Sequence, residues 1–185
     1  MSDLIYILLA EGFEEIEAVT PADILRRLGL NTLFIGVSSK QVKGAHGIEI
    51  TSDATLKKVK NEIPAALILP GGMPGAKNLD LNSDVRDLVL STNESGGIIA
   101  AICAAPMVIG RLGLLKGKNA VCYPGFEEHL TGANILSRSV VRDGNIITAL
   151  GPGAAADFSF EIGTALKDKV SAAFVKRGMQ YKTAD

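Results

Sequence analysis

Gly97-Ile98-Ile99-Ala100-Ala101-Ile102-Cys103, followed at once by Ala104-Ala105-Pro106-Met107-Val108-Ile109-Gly110, is the stretch that decides the fold of this chain. The first seven residues are apolar and rich in isoleucine, which is typical of a buried strand, and the next seven predict a helix. A strand that ends at a nucleophile and turns sharply into a helix has the geometry of a nucleophile elbow. The sequence therefore predicts such an elbow at Cys103.

The position of Cys103 suggests a reactive thiol. Unpaired N–H groups and the dipole at a helix N-terminus favour an anion, so we expect a lowered thiol pKa and an available thiolate. The alternative is a buried cysteine that only fills space as a small apolar side chain. Small residues on both sides of Cys103 favour the reactive thiol.

Apolar runs of strand length alternate with helical patterns along the chain. The predicted strands are Leu4–Leu9, Thr32–Val37, Ala65–Leu69, Ile98–Ile102 and Asn119–Cys122, with short strands within Gly44–Thr55 and a hairpin of Ser139–Arg142 and Asn145–Leu150 around Asp143-Gly144. The other predicted helices are Glu14–Leu28, Asp84–Leu90, Ala154–Leu166 and Val170–Lys176. Continuously apolar strands are buried on both faces, so we predict an α/β fold with a doubly wound, mostly parallel sheet and helices on both faces.

Composition limits the function classes. A hydrophobic content of 47% argues against disorder, and 185 residues suit one domain spanning 1–185. The 19 basic and 20 acidic residues form no basic stripe, so we expect no nucleic-acid partner. Two cysteines are too few for a disulfide scaffold, and no leader or apolar run of about 20 residues is visible. We expect a cytoplasmic protein with no membrane partner.

Two further turns at the predicted carboxyl edge carry chemistry. The first, Glu11–Glu17, puts Glu14 and Glu17 on one helix face, while Glu15 points elsewhere; spacing does not choose which of the two meets Cys103. The second, Leu69–Gly75, holds Pro70-Gly71-Gly72, either a tight turn or one half of an oxyanion hole.

The histidines and glycines argue against other kinds of site. The chain has two histidines, His46 and His129, and their spacing matches no metal site, so we expect no metal. His129 is interpreted as a helical surface or capping residue. No dinucleotide or Walker glycine pattern is present, so we expect no cofactor.

Four blocks in order resemble the signature blocks of the ThiJ/PfpI superfamily, above all those of its branch around the parkinsonism-associated DJ-1 protein. They are Glu11–Glu17, Leu69-Pro70-Gly71-Gly72, Ala100–Pro106 and Gly151-Pro152-Gly153, and the match runs from residue 4 to about residue 175. The resemblance implies a flavodoxin-like sheet, a homodimer and a reactive cysteine paired with a carboxylate.

The resemblance also implies roles for individual residues. Cys103 would be the nucleophile, Glu17 the general acid and base, and the N–H groups of Gly72 and Ala104 the oxyanion donors. Further pocket positions would be Glu14, Gly71, Tyr123, His46 and Arg27. The implied activities are a cofactor-free glyoxalase on methylglyoxal, a deglycase, or redox-regulated protection against stress, with small reactive carbonyl compounds as partners.

Three positions depart from the family pattern. Ala104 stands where the protease branch carries a histidine, which argues against a Cys-His protease. Tyr123 stands where the DJ-1 branch often has a histidine near the thiol. His46 stands where that branch has an arginine close to the site across the dimer. Arg27 matches another arginine of the family, although it is also a typical surface arginine on a helix.

The sequence predicts the protonation state of the Cys103–Glu17 pair and leaves three functional hypotheses open. An ionised Glu17 would repel a thiolate, so the expected pair is a Cys103 thiolate with a neutral carboxylic acid. One hypothesis is an enzyme that acts on 2-oxoaldehydes, and a second is a sensor in which oxidants modify Cys103. The third is a binding module with an incidental cysteine.

Overall fold

A computed structural model of the chain describes residues 3–181, which form eleven strands and seven α-helices. The strands are β1 (Leu4–Leu9), β2 (Asn31–Gly36), β3 (Gln41–Lys43), β4 (Glu49–Thr51), β5 (Ala54–Thr55), β6 (Ala66–Leu69), β7 (Ile98–Ile102), β8 (Asn119–Ala120), β9 (Asn134–Ile135), β10 (Val140–Asp143) and β11 (Ile146–Ala149). The helices are α1 (Glu15–Arg27), α2 (Leu56–Val59), α3 (Gly75–Leu81), α4 (Ser83–Glu94), α5 (Pro106–Arg111), α6 (Ala155–Leu166) and α7 (Lys169–Gly178).

Seven of the strands form one sheet in the order β10-β11-β7-β6-β1-β2-β5. All neighbours in this sheet are parallel except β10 and β11, which form an antiparallel hairpin at one edge. The five central strands, β2-β1-β6-β7-β11, have the flavodoxin-like order, in which the chain reverses direction of winding beside β1. The predicted fold class is confirmed.

Helices cover both faces of this sheet, and that explains the apolar strands. Helix α1 packs against α6, while α3 packs against α4 and α5, and both α4 and α6 contact β7. Every residue of β6 and β7 is buried. No helix within residues 3–181 has both the length and the apolar character that a membrane crossing requires.

Several boundaries differ from the sequence predictions. The hairpin turn is Gly144-Asn145 rather than Asp143-Gly144, because Asp143 pairs with Ile146 and its carboxylate accepts the N–H of Asn119 at 2.9 Å. The strand predicted over Asn119–Cys122 stops at Ala120 and pairs outside the main sheet. Helix α5 begins at Pro106 and not at Ala104, so a two-residue turn separates Cys103 from the helix.

An ion pair joins the two helices that follow the Gly71-Gly72 turn and the Cys103 elbow. Asp80 on α3 is buried, and its Oδ2 accepts a short hydrogen bond from Nη1 of Arg111, the last residue of α5. Its other oxygen, Oδ1, has no hydrogen-bond partner among residues 3–181. The guanidinium is thus the partner that stabilises a buried negative charge between the helices.

Replacing Arg111 with methionine should therefore destabilise the protein by about 2 kcal/mol, because it leaves the Asp80 carboxylate buried without a donor. Urea unfolding at pH 7 measures this change. The matched control is Arg27→Met, since Arg27 pairs with Asp23 at 2.7 Å with both side chains half exposed. Such surface pairs contribute less than about 1 kcal/mol. Equal losses in the two variants would contradict the structural role of Arg111.

Candidate active site

Cys103 occupies the turn between β7 and α5 with a φ of +64°, a left-handed conformation that is unfavourable for a residue with a side chain. Two hydrogen bonds hold it there: its N–H donates to the carbonyl of Ala149, and its carbonyl accepts from the N–H of Tyr123, each at 2.9 Å. The residue is 9% exposed. The strained elbow turns the side chain out of the direction of the strand while leaving it largely buried.

Glu17 lies in the first turn of α1 and is fully buried. Its Oε2 accepts the N–H of Gly71 at 2.7 Å, and the carboxyl interacts with the Cys103 side chain. Within residues 3–181 its Oε1 has no hydrogen-bond partner of regular geometry. Of the two acidic residues that spacing left open, Glu17 is therefore the one that meets the thiol.

The two glycines of the second turn permit this close approach. A Cβ on Gly71 would stand 2.7 Å from Cys103 Cβ and 2.8 Å from Glu17 Oε2, so any side chain there would separate the pair. Gly72 has a φ of +82°, and a Cβ on it would collide with the backbone of Glu14 at 2.4 Å. The turn thus brings main-chain N–H groups to the thiol at a place where side chains do not fit.

Burial and mutual repulsion control the charges of the pair. Burial raises the pKa of Glu17 to about 7, although the hydrogen bonds from Gly71 and Cys103 act in the opposite direction. Burial and the charge of Glu17 raise the pKa of Cys103 to about 12. The N–H groups of Gly72 and Ala104 hydrogen-bond to the thiol and partly offset that increase.

The expected lowering of the thiol pKa is therefore wrong, and so is the expected resting pair: the first proton leaves Glu17, so the pair holds a neutral thiol and not a thiolate beside a neutral acid. Two physical reasons account for it. Helix α5 starts three residues after Cys103, so only individual N–H groups reach the sulfur, and the carboxylate of Glu17 opposes a second negative charge beside it. The first proton leaves this coupled pair near neutral pH, and the second leaves only in strongly alkaline solution.

Glu14, Glu15 and His46 lie together beside this pair. His46 Nδ1 is 2.9 Å from Glu15 Oε2 and 3.5 Å from Glu14 Oε1, and the imidazole is 69% exposed. Burial raises the pKa of Glu15, but hydrogen bonds from His46 and Ile48 outweigh it, so the pKa lies below its ordinary value. The hydrogen bond to Glu15 raises the pKa of His46.

The side chains of the remaining candidate residues have no contact with the Cys103 thiol among those described above. Tyr123 contributes its main-chain N–H to the elbow, while its side chain is 46% exposed and packs near Gly151. Arg27 ends α1, ten residues after Glu17, and pairs with Asp23, so the structure does not bring it to the thiol within one chain. His129 lies in a 3₁₀ turn beside Arg111, in agreement with its interpretation as a helical surface or capping residue.

Glu15 is the residue whose importance the sequence analysis missed. It does point away from the thiol, as helical spacing predicts, but it is buried and accepts the N–H groups of His46 and Ile48 with the same oxygen. The contact joins positions 31 residues apart. No periodicity within α1 signals it, and only the pairing of β3 with β4 brings His46 to the helix.

Comparison with known proteins agrees with this architecture. The crystal structure of Drosophila melanogaster DJ-1beta is similar with a TM-score of 0.94 and 35% sequence identity, covering 99% of this chain and 100% of that chain. In sequence, this chain is 36% identical over 182 residues to Protein dj-1beta of Drosophila melanogaster, with 97% of each covered. It is 37% identical over 158 residues to a Caenorhabditis elegans protein named glutathione-independent glyoxalase DJR-1.2, with 84% of each covered.

The family model covers the same elements that build the site. Its match, described as the DJ-1/PfpI family, spans residues 3–165, from β1 through α6. It thus includes the carboxyl ends of β1, β6 and β7, where Glu17, Gly72 and Cys103 meet. On the family match and on relatives more than 30% identical along nearly the whole sequence, this chain belongs to the DJ-1/PfpI family.

Proposed function

We propose that this protein is a cofactor-independent glyoxalase that converts methylglyoxal and similar 2-oxoaldehydes into 2-hydroxy acids. The observation that carries the proposal is the contact of a buried carboxyl with a pKa near 7, Glu17, with a thiol that receives the N–H groups of Gly72 and Ala104. The Caenorhabditis elegans relative named as a glutathione-independent glyoxalase supports the same class of substrate.

The reaction begins at sulfur. The Glu17 carboxylate accepts the proton of the Cys103 thiol, which gives a thiolate beside a neutral acid without placing a second charge in the site. The thiolate adds to the aldehyde carbon and forms a hemithioacetal. The N–H groups of Gly72 and Ala104, which already point at the sulfur, stabilise the oxygen anion that develops on that carbon.

Proton transfer follows on the bound substrate. The neutral acid of Glu17 first returns its proton to the anionic oxygen, which completes the hemithioacetal and makes Glu17 a carboxylate again. The carboxylate then removes the proton from the first carbon and returns it to the second carbon through an enediol, which converts the hemithioacetal into a thioester of lactic acid. Water then cleaves the thioester and releases lactate and the free thiol. The net change is the addition of one water to methylglyoxal, and no redox partner is consumed.

A carboxyl with a pKa near 7 suits both directions of this transfer. General catalysis is most effective when the pKa of the group is close to the working pH, since both protonation states are then populated. The burial that raises the pKa of Glu17 to about 7 brings it into that range. Within residues 3–181 the Oε1 atom has no hydrogen-bond partner, and we assign the exchange of the proton with substrate to this oxygen.

The test is the formation of lactate from methylglyoxal by purified protein without glutathione. We expect turnover that one equivalent of iodoacetamide per active thiol removes. Glycated thiols and amines serve as the second substrate set, and faster release of their adducts would make deglycation the main reaction. Activity that persists after complete alkylation of Cys103 would overturn the proposal.

A second candidate function is sensing of oxidants by Cys103. The same N–H groups that would stabilise an alkoxide would stabilise the oxygens of a sulfinate, and neutral Glu17 could donate to one of them. Mass spectrometry after mild peroxide treatment separates the two functions. Selective oxidation of Cys103 in a protein that turns over no aldehyde would favour the sensor.

A further inference from the structure

Strand β10 is an edge of the main sheet, and its outward main-chain groups have no partner. Within the described chain it pairs with β11 on one side only. The N–H of Leu150 donates to the carbonyl of Ser139 at 2.9 Å, which sets the phase of the antiparallel hairpin. With this phase, Val140 and Arg142 turn their N–H and carbonyl groups away from β11. Among residues 3–181 these four groups have no hydrogen-bond partner.

A groove of about 730 Å³ borders this edge. Its lining includes Val140 and Arg142 of β10, Phe160 of α6, Ala172 of α7 and Asn119 of β8. Helix α6 and strand β8 both pack against β10, so the free edge lies in a recess and not on a flat surface. A recessed edge is protected against pairing with another whole sheet, while a single extended segment can still reach its main-chain groups.

Basic side chains outnumber acidic ones in the lining of this groove. The four cations are Arg138, Arg142, Lys169 and Lys176, and the two carboxylates are Asp157 and Glu161. Arg142 pairs with Glu161 at 3.7 Å. Lys176 pairs with Asp157 at 3.8 Å. Both carboxylates of the groove are thus already next to a cation, and positive charge is left over.

Arg138 and Lys169 carry the remaining charge. Arg138 precedes β10 by two residues and Lys169 is the first residue of α7, so the two cations come from different walls of the groove. Both residues are exposed, and neither side chain forms an ion pair with any other part of the described chain, 3–181. Free cations beside free main-chain donors and acceptors favour a ligand with a peptide backbone and carboxylate side chains.

From this arrangement we propose that the groove along β10 binds an extended acidic segment of a partner protein, which adds to the seven-stranded sheet as an eighth strand. The main chain of the segment pairs with Val140 and Arg142, and its carboxylates pair with Arg138 and Lys169. A segment as long as β10 has four residues and spans about 13 Å. The unpartnered main-chain groups are the observation that favours a peptide over a small anion, since an anion would use the cations alone.

Fluorescence polarisation of a labelled peptide tests the proposal on the full wild-type chain. The probe is an acetylated and amidated peptide of three Glu-Val repeats, and we expect saturable binding of one peptide per chain. The same peptide with lysine in place of glutamate should bind at least tenfold more weakly. Salt should weaken binding of the acidic peptide, since exposed charges are screened. Methylation of every peptide nitrogen should abolish binding, because the N–H groups that pair with β10 are then lost.

Substitutions in the chain assign the two kinds of contact. The double variant Arg138→Glu, Lys169→Glu should weaken binding at least tenfold, because two attractions become repulsions. Val140→Pro removes one outward N–H without changing a charge, at a place on an edge strand where proline is tolerated, and should weaken binding about tenfold. The matched control is Lys57→Glu, Lys58→Glu on α2, which packs on β5 at the opposite edge of the sheet. This control makes the same change in net charge and should alter affinity less than twofold.

None of these readouts depends on aldehyde turnover, so the proposal stands or falls independently of the glyoxalase. Absence of saturable binding at about 1 mM peptide, equal binding of the acidic and basic peptides, or full binding of the methylated peptide would overturn it. Pyrophosphate is the probe for the rival ligand class. If it displaced the peptide and bound Val140→Pro as tightly as the wild type, the groove would belong to a small anion and strand addition would be wrong.

Discussion

Cys103→Ser should reduce lactate formation by about 10⁴-fold, to the level of the background reaction. A serine hydroxyl is a far weaker acid than a thiol, so Glu17 cannot convert it into a usable anion at neutral pH. The N–H groups of Gly72 and Ala104 remain in place and would then bind substrate without a nucleophile. Steady-state assays with methylglyoxal at saturating concentration measure the loss in kcat.

The second cysteine provides the matched control. Cys122 is also free and buried, and burial raises its pKa to about 11, but neither Gly72 nor Ala104 is among its hydrogen-bond partners. We expect Cys122→Ala to keep kcat within about threefold and to lose some stability from the smaller side chain. Both variants should retain a cooperative thermal transition. A comparable loss of activity in the two would mean that the thiol chemistry does not reside at Cys103.

The layout of the sheet could be predicted because its strands carry unusually simple signals. Residues of β1, β6 and β7 are apolar on both faces, and only a parallel strand covered by helices accommodates that pattern. Helix α3 was missed because Gly75–Leu81 begins among prolines and glycines that are typical of a turn. The prolines and glycines at the start of α3 are typical both of a turn and of the beginning of a short helix.

Only those parts of the candidate site that residues adjacent in sequence determine could be predicted. The elbow at Cys103 and the glycine turn are local features, and the structure has both. The choice of Glu17 over Glu14 depends on how α1 lies across β1 and β6, which helical spacing alone does not determine. The contact of His46 with Glu15 depends on a hairpin whose register is set by side chains elsewhere.

The pKa of the Cys103 thiol could not be predicted from the sequence, for a different reason. A helix N-terminus is a local signal, and it predicts a thiolate. Burial and the distance to another charge are tertiary quantities, and in this site they act in the opposite direction on Cys103. The same two quantities make Glu17 a proton carrier near neutral pH, so the reactivity of the site belongs to the pair and not to either residue.

Glu17→Gln should therefore lower activity and raise stability at the same time. Loss of the proton carrier should reduce kcat by about 10³-fold. Removing the negative charge beside the sulfur should also move the pH midpoint of Cys103 alkylation downward by at least one unit, since that charge is one cause of the raised thiol pKa. The wild-type midpoint lies near pH 12. Between pH 8 and 10 the shift therefore shows as iodoacetamide alkylation at least tenfold faster in the variant than in the wild type.

The stability effect follows from the raised pKa of the carboxyl. Its pKa is about 7 in the folded protein against an ordinary value of 4.5, so between these pH values the folded state holds a proton that the unfolded chain has released. This contribution to the free energy of unfolding is complete below pH 4.5 and is lost as pH rises through 7, a change of about 3 kcal/mol. Glutamine carries no such proton. The free energy of unfolding of Glu17→Gln, relative to that of the wild type, should therefore increase by that amount between pH 4.5 and 8.

Glu14→Gln separates this effect from a general loss of acidic charge near the N-terminus of α1. Glu14 is three residues away and 17% exposed, and we expect its substitution to change kcat less than tenfold. Urea unfolding of the three proteins across the pH range should show the large relative gain for Glu17→Gln alone. A parallel gain in Glu14→Gln, or none in either, would mean that Glu17 does not carry a buried charge at neutral pH, and the proton transfer proposed for it would lose its physical basis.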